Sequence, residues 1–121
     1  MAEYAPHYFP ADRLPLTTSA ATTAGQVVRV SGNKTVAPVS AAASGCLGVA
    51  AHDAASGAPV VVYTEGVHQV AASGVIAAGS DVVGATGGGV AAFDDETHTA
   101  DQIVGTALAA AADSKVLVKL R

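Results

Sequence analysis

Glycine placement constrains this chain more than any other feature. From Gly25 onward, thirteen glycines interrupt every window long enough for a helix. The residues between them are rich in valine, whose branched Cβ loses rotamer freedom in a helix and packs well in a strand. Short valine-rich runs therefore alternate with Gly, Ser, Asp and Pro turns. The runs are 26–30, 35–39, 46–51, 59–63, 66–71, 81–83, 89–93, 102–108 and 115–120. They recur every 8–15 residues, a spacing that predicts an all-β fold, a small barrel or sandwich. Two alanine stretches, 40–43 and 109–112, lie between strands and read as loops. Val60-Val61-Val62 and Val116-Leu117-Val118 are apolar at consecutive positions, as in strands covered on both sides. A neighbouring subunit could supply the second cover.

The strand blocks repeat. Gly25-Gln26-Val27-Val28 matches Gly79-Ser80-Asp81-Val82, and Val36-Ala37 matches Val90-Ala91. Leu47-Gly48-Val49-Ala50 matches Val104-Gly105-Thr106-Ala107, and Val60-Val61-Val62 matches Val116-Leu117-Val118. The offsets are 54, 54, 57 and 56, the drift coming from a longer polar loop at 94–102. This predicts a pseudo-twofold internal duplication with four strands per half, joined by a hairpin-like stretch over 65–79. Pairing of equivalent strands would close the body and remove its edges.

Length and side-chain size bound what such a body can hold. At 121 residues it is one domain. The apolar half of the chain is mostly 28 Ala and 18 Val, against 6 Leu and 2 Ile, with only 4% aromatic residues. Such a core buries little area per residue, so oligomerisation or docking on a larger partner is expected. With 13% charged residues and a net charge of −4, the chain fits neither a disordered segment nor a coiled coil. Its six basic residues are scattered, which argues against nucleic-acid binding. The single cysteine, Cys46, sits among small apolar neighbours and reads as a core thiol. The first residues lack the basic and apolar regions of a signal peptide, and no apolar run is long enough to span a membrane. Synthesis in a cytoplasm is expected.

The opening segment differs from the rest. Pro6, Pro10 and Pro15 punctuate it, and Tyr4, Tyr8 and Phe9 are three of the five aromatics. Proline favours extended backbone. Residues 1–24 are therefore expected to form an extended arm ahead of a β domain at 25–121. Two readings of it stand: a partner-binding arm, or a tail folded back on its own domain.

Candidate chemistry is sparse. Gly87-Gly88-Gly89 lacks a P-loop lysine and reads as a turn. The acidic loop 94–101 places Asp94, Asp95, Glu96 and His98 close together, the donor types of a cation site, but its spacing is not that of an EF-hand. His52-Asp53 and Glu65/His68 could be acid–base pairs, yet no serine lies in a G-x-S-x-G elbow and few aromatics exist to line a pocket. No enzymatic activity and no cofactor are expected.

The segment Gly-Val-Ala-Ala-His-Asp-Ala-Ala-Ser-Gly-Ala-Pro-Val-Val-Val-Tyr-Thr-Glu-Gly-Val-His-Gln-Val, 48–70, resembles the capsid cement, or head decoration, proteins of tailed bacteriophages. The ending at 103–120 does too, with Val104-Gly105 in place of the family's usual Ile-Gly. The resemblance covers about four fifths of the chain, residues 25–120, and not the arm. It implies a non-enzymatic β-rich virion protein on the outer capsid surface. Its partners would be the major capsid protein and itself, as a homotrimer, with no nucleic acid and no membrane. An arm that orders on the capsid would use Tyr4, His7, Tyr8, Phe9, Leu14 and Leu16 as anchors. The alternatives are a β-rich tail-fibre or receptor-binding module, or a metal-dependent accessory enzyme using the 94–98 loop.

Overall fold

The computed structural model describes residues 13–121 and is all-β. The first half holds β1 (Arg13–Thr18), β2 (Val27–Gly32), β3 (Thr35–Pro38), β4 (Cys46–Ala50) and β5 (Pro59–Tyr63). They close into a barrel in the order β1-β3-β2-β4-β5. The second half holds β6 (Val67–Ala71), β7 (Asp81–Gly84), β8 (Val90–Ala92), β9 (Ile103–Ala107) and β10 (Lys115–Leu120). They form a sheet in the order β6-β10-β9-β7-β8. Both alanine stretches are loops, as expected.

The two orders are the same circuit. Each half pairs its first strand antiparallel with its fifth, its fifth with its fourth, its fourth with its second and its second with its third. Even the irregularities correspond. The β2–β4 ladder slips at Val28/Arg29, and β7–β9 slips at Val82/Val83. The Ser19 N–H donates to the Val36 carbonyl at 2.9 Å, and the Ser73 N–H to the Val90 carbonyl at 2.8 Å. The duplication seen in the sequence is therefore a duplication of backbone pairing.

Two features of the expected duplication are corrected. Each half has five strands, the fifth being β1 in one half and β6 in the other. Among the described residues, no strand ladder joins the halves, so closure does not come from pairing equivalent strands. The first half closes on itself, through parallel pairing of Thr17 with Thr35 and Thr18 with Val36. The second half meets itself only at the single bridge between Ala72 and Val90.

The arm boundary moves as well. From Arg13, the stretch assigned to the arm is barrel. β1 runs beside β5 over Arg13–Thr17, and Thr18 is buried with its hydroxyl donating to the Ala55 carbonyl at 2.7 Å. Thr22 pairs with Ala54, and the Ala24 N–H donates to the Asp53 carboxylate at 2.8 Å. Leu14, Leu16 and Thr18 alternate on one face, the period-two signal of a strand. Pro15 disguises it, yet a proline is tolerated on a strand whose N–H would face an edge.

Adjacent valines of β2 divide the core. Val28 points into the barrel with Val36, Ala50, Val60 and Val62, and Leu16 packs against them. Val27 points the other way, with Val39 and Val49, into a second cluster containing Val82, Val90, Val104, Val118 and Leu120 from the second half. β2 is thus covered on both sides, its second cover being the other half of the same chain, whereas the two runs expected to be doubly covered are not: Leu117 of β10 is exposed and Val61 of β5 is half-buried.

Candidate functional site

The residues singled out for chemistry are held by backbone groups. In the 94–98 loop, the Asp94 carbonyl accepts the N–H groups of Thr97 and His98 at 3.1 and 2.7 Å. The Asp94 carboxylate accepts the Glu96 N–H at 3.0 Å, and the Asp94 N–H donates to Nδ1 of His98, also at 3.0 Å. The His98 ring lies beside Phe93, with centroids 6.0 Å apart. This is a self-capped turn in which the carboxylate and the imidazole serve the loop's own amides. Among the described residues, no three His, Cys, Asp or Glu side chains converge on a metal position. Thr99 and Gln102 close the loop with a capping box.

The two supposed acid–base pairs come apart in the same way. The Val61 N–H donates to Nε2 of His52 at 3.2 Å. That leaves Nδ1 to carry the proton, and it donates to the Asp53 carbonyl at 2.9 Å. His68 uses Nε2 on the Glu65 carbonyl at 2.9 Å, and its ring stacks on Tyr63 at 5.6 Å. Neither ring meets the carboxylate beside it in sequence; both pin strand ends.

Cys46 is half-buried and donates to the Ala43 carbonyl at 3.3 Å. Burial pushes its thiol up from the ordinary value, and the positive charge of Arg29 offsets part of this. A thiol held protonated is a poor nucleophile.

Of the expected capsid anchors, Tyr4, His7, Tyr8 and Phe9 lie outside the described residues. Leu14 and Leu16 are half-buried in β1, where Leu16 packs on the barrel core.

What remains is surface. The outer face of the second sheet carries Val67 and Gln69 on β6 opposite Lys119 and Leu117 on β10, with Lys115 opposite Ala71. All six are exposed, and Leu108 adjoins Leu117 through a backbone hydrogen bond of 2.9 Å. The Val116-Leu117-Val118 run, expected to be covered on both sides, instead leaves Leu117 exposed. The signal for this surface was the presence of two lysines and a leucine on one face of an acidic chain.

The sequence matches the model of the phage cement protein family over residues 9–121. The chain belongs to that family. It is a structural virion protein with a capsid-decoration role. Among solved structures, it is similar to the N base of the head fiber protein gp8.5 of bacteriophage phi29. The TM-score is 0.68 at 17% identity, covering 90% of this chain and 92% of that chain. At that identity the likeness speaks for the fold. No curated protein matches the sequence.

Proposed function

We propose that this cement protein binds the outer surface of the assembled head and bridges neighbouring major capsid subunits. A compact β body gives the bridge stiffness, and the segment ahead of Arg13 gives it grip. The observation that carries this reading is the placement of β1. Within the described residues the barrel starts with β1 at Arg13, and Tyr4, Tyr8 and Phe9, three of the five aromatics in the chain, lie earlier in the sequence. Aromatic side chains are favoured at interface cores. Tyr4, His7, Tyr8 and Phe9 are the proposed anchors. Assembly as a homotrimer would place several arms on neighbouring subunits, and weak contacts would sum through multivalency.

The proposed role is mechanical, and each histidine in the described residues spends a ring nitrogen on a backbone group. A second reading is favoured by one observation, the likeness to the base of a head fiber. In it, the same body is the foot of an appendage.

The test is deletion of residues 1–12, followed by binding to purified expanded shells that lack the protein. Loss of occupancy is expected. Unchanged occupancy overturns the arm. Light scattering of the free protein is expected to give a trimer, and a monomer removes that part of the proposal.

A further inference from the structure

We infer that the outer edge of β6 accepts an extended acidic segment of the shell subunit by strand addition; this rests on the shell-binding reading above. The argument begins with backbone direction. The Leu120 N–H donates to the Gly66 carbonyl, and the Ala72 N–H donates to the Ser114 carbonyl, both at 2.9 Å. Residues 66, 68, 70 and 72 thus turn their polar groups toward β10. By the alternation of an antiparallel ladder, Val67, Gln69 and Ala71 turn theirs to the opposite edge. That edge meets β8 only at the Ala72–Val90 bridge, so the amides of Val67 and Gln69 find no partner there among the described residues.

The internal duplication supplies a control. In the barrel, the position equivalent to Gln69 is Pro15, and that equivalent to Ala71 is Thr17. The Thr17 N–H donates across the closure to the Lys34 carbonyl at 3.2 Å. Pro15 has no N–H to offer, a common device for blunting an edge. The second half lacks both protections. Its closure is a single bridge, and a glutamine with a free N–H replaces the proline. One half of the molecule is closed to strand addition and the other is open to it.

The surroundings say what kind of strand fits. A groove of about 190 Å³ follows the edge, lined by Gln69, Val70 and Ala71 against Gly87, Gly88 and Gln26. A second groove of about 470 Å³ on the other side of Gln69 is lined by Lys115, Leu117, Ala109 and Ala112, with Asp113 also on its wall. Lys115 and Lys119 flank the exposed Val67 and Leu117, and neither forms an ion pair among the described residues. On the paired β6–β10 face the two lysines are the charged side chains, with apolar residues between them, while Glu65 and Asp113 lie just before the two strands. The complement of this face is an extended segment that alternates apolar side chains with Asp or Glu. Main-chain hydrogen bonds supply affinity, and the lysines supply register and selectivity.

The test compares four proteins on purified expanded shells that lack the cement protein: wild type, Gln69→Pro, the pair Lys115→Glu/Lys119→Glu, and the 1–12 deletion. Pro15 shows that the fold holds proline at this position, so Gln69→Pro should melt like wild type. Losing one edge hydrogen bond and its register should weaken shell binding by about tenfold. The lysine pair sits on exposed positions and should weaken binding while removing much of its salt dependence. If wild type binds and both edge variants bind equally well, the edge proposal is overturned while the shell-binding reading stands. If wild type itself does not bind, that reading falls and this partner with it. If Gln69→Pro dissociates a native oligomer in light scattering, the occupant is a second copy, which also overturns the proposal.

Discussion

Two glycines show how tightly single residues are held. A Cβ built on Gly48 would lie 1.9 Å from the Tyr63 carbonyl oxygen, and one on Gly105 would lie 2.1 Å from the Lys119 carbonyl oxygen. These are equivalent positions in the two halves. The repeated block hydrophobic-Gly-x-Ala thus has a packing cause: at each, a neighbouring strand passes where a side chain would be. Gly48→Ala or Gly105→Ala should cost about 3 kcal/mol or more, since the obstruction is backbone that cannot rotate away. Denaturant melts measure this; a loss under about 0.5 kcal/mol, the range of ordinary surface changes, contradicts it.

Cys46 makes a pH-dependent prediction. Its folded thiol sits above its ordinary value because of burial. The folded state therefore holds the proton more tightly than the unfolded state. Its contribution to stability is full below the ordinary thiol range and declines as pH climbs through it. Alkylation of the folded protein by iodoacetamide at pH 8 should be slower than that of a free cysteine peptide. Equal rates would show the thiol to be unshielded. The small neighbours of Cys46 suggested a core thiol, but it is half-buried at the edge of the core. The roles of the histidines were not legible, because their partners are backbone groups of residues up to nine positions away, which residue identity does not reveal.

At the scale of elements, the strands between Gly25 and Leu120 were legible because valine runs and glycine turns mark both their bodies and their ends. β1 was missed. Its three inward residues are two leucines and a threonine, interrupted by a proline, and its support comes from β5, over 40 positions away. β6 was seen as a strand, but as part of a connector, because its counterpart was hidden in the arm. The correction has a consequence for truncation. Deleting residues 1–12 should leave the melt unchanged, because β1 is intact. Deleting residues 1–18 removes β1 and leaves Val60 and Val62 on a raw edge. That variant should lose cooperative unfolding or aggregate. Circular dichroism melts of the two truncations decide it, and a cooperative, unshifted melt of the longer deletion would contradict β1 as an integral barrel strand.

At the scale of the molecule, the halves dock without reciprocity. Val27, Val39 and Val49 of the first half are buried against the second half, whereas their counterparts Asp81, Phe93 and Thr106 are exposed or half-exposed. Gly84 lies against Val39, but its own counterpart, Val30, is 46% exposed. A head-to-tail contact of this kind would extend indefinitely if both halves carried the same faces. Asp81 and Thr106, standing where Val27 and Val49 stand in the first half, end it at two. Small side chains let the halves approach closely, and three of the five aromatics fall before Arg13 in the sequence. The sequence blocks carried the duplication and the family resemblance. The docking of the halves and the unequal edges of β1 and β6 needed the strand pairing. In the proposed function this body decorates the head from outside and grips shell subunits with the segment before Arg13. A cryo-EM map of decorated shells at side-chain resolution tests it most directly. The account predicts the β body on the outer surface with Tyr4, Tyr8 and Phe9 seated on a capsid subunit. A body bound inside the shell or only on the tail, or an outer body with those residues away from the shell, would contradict it.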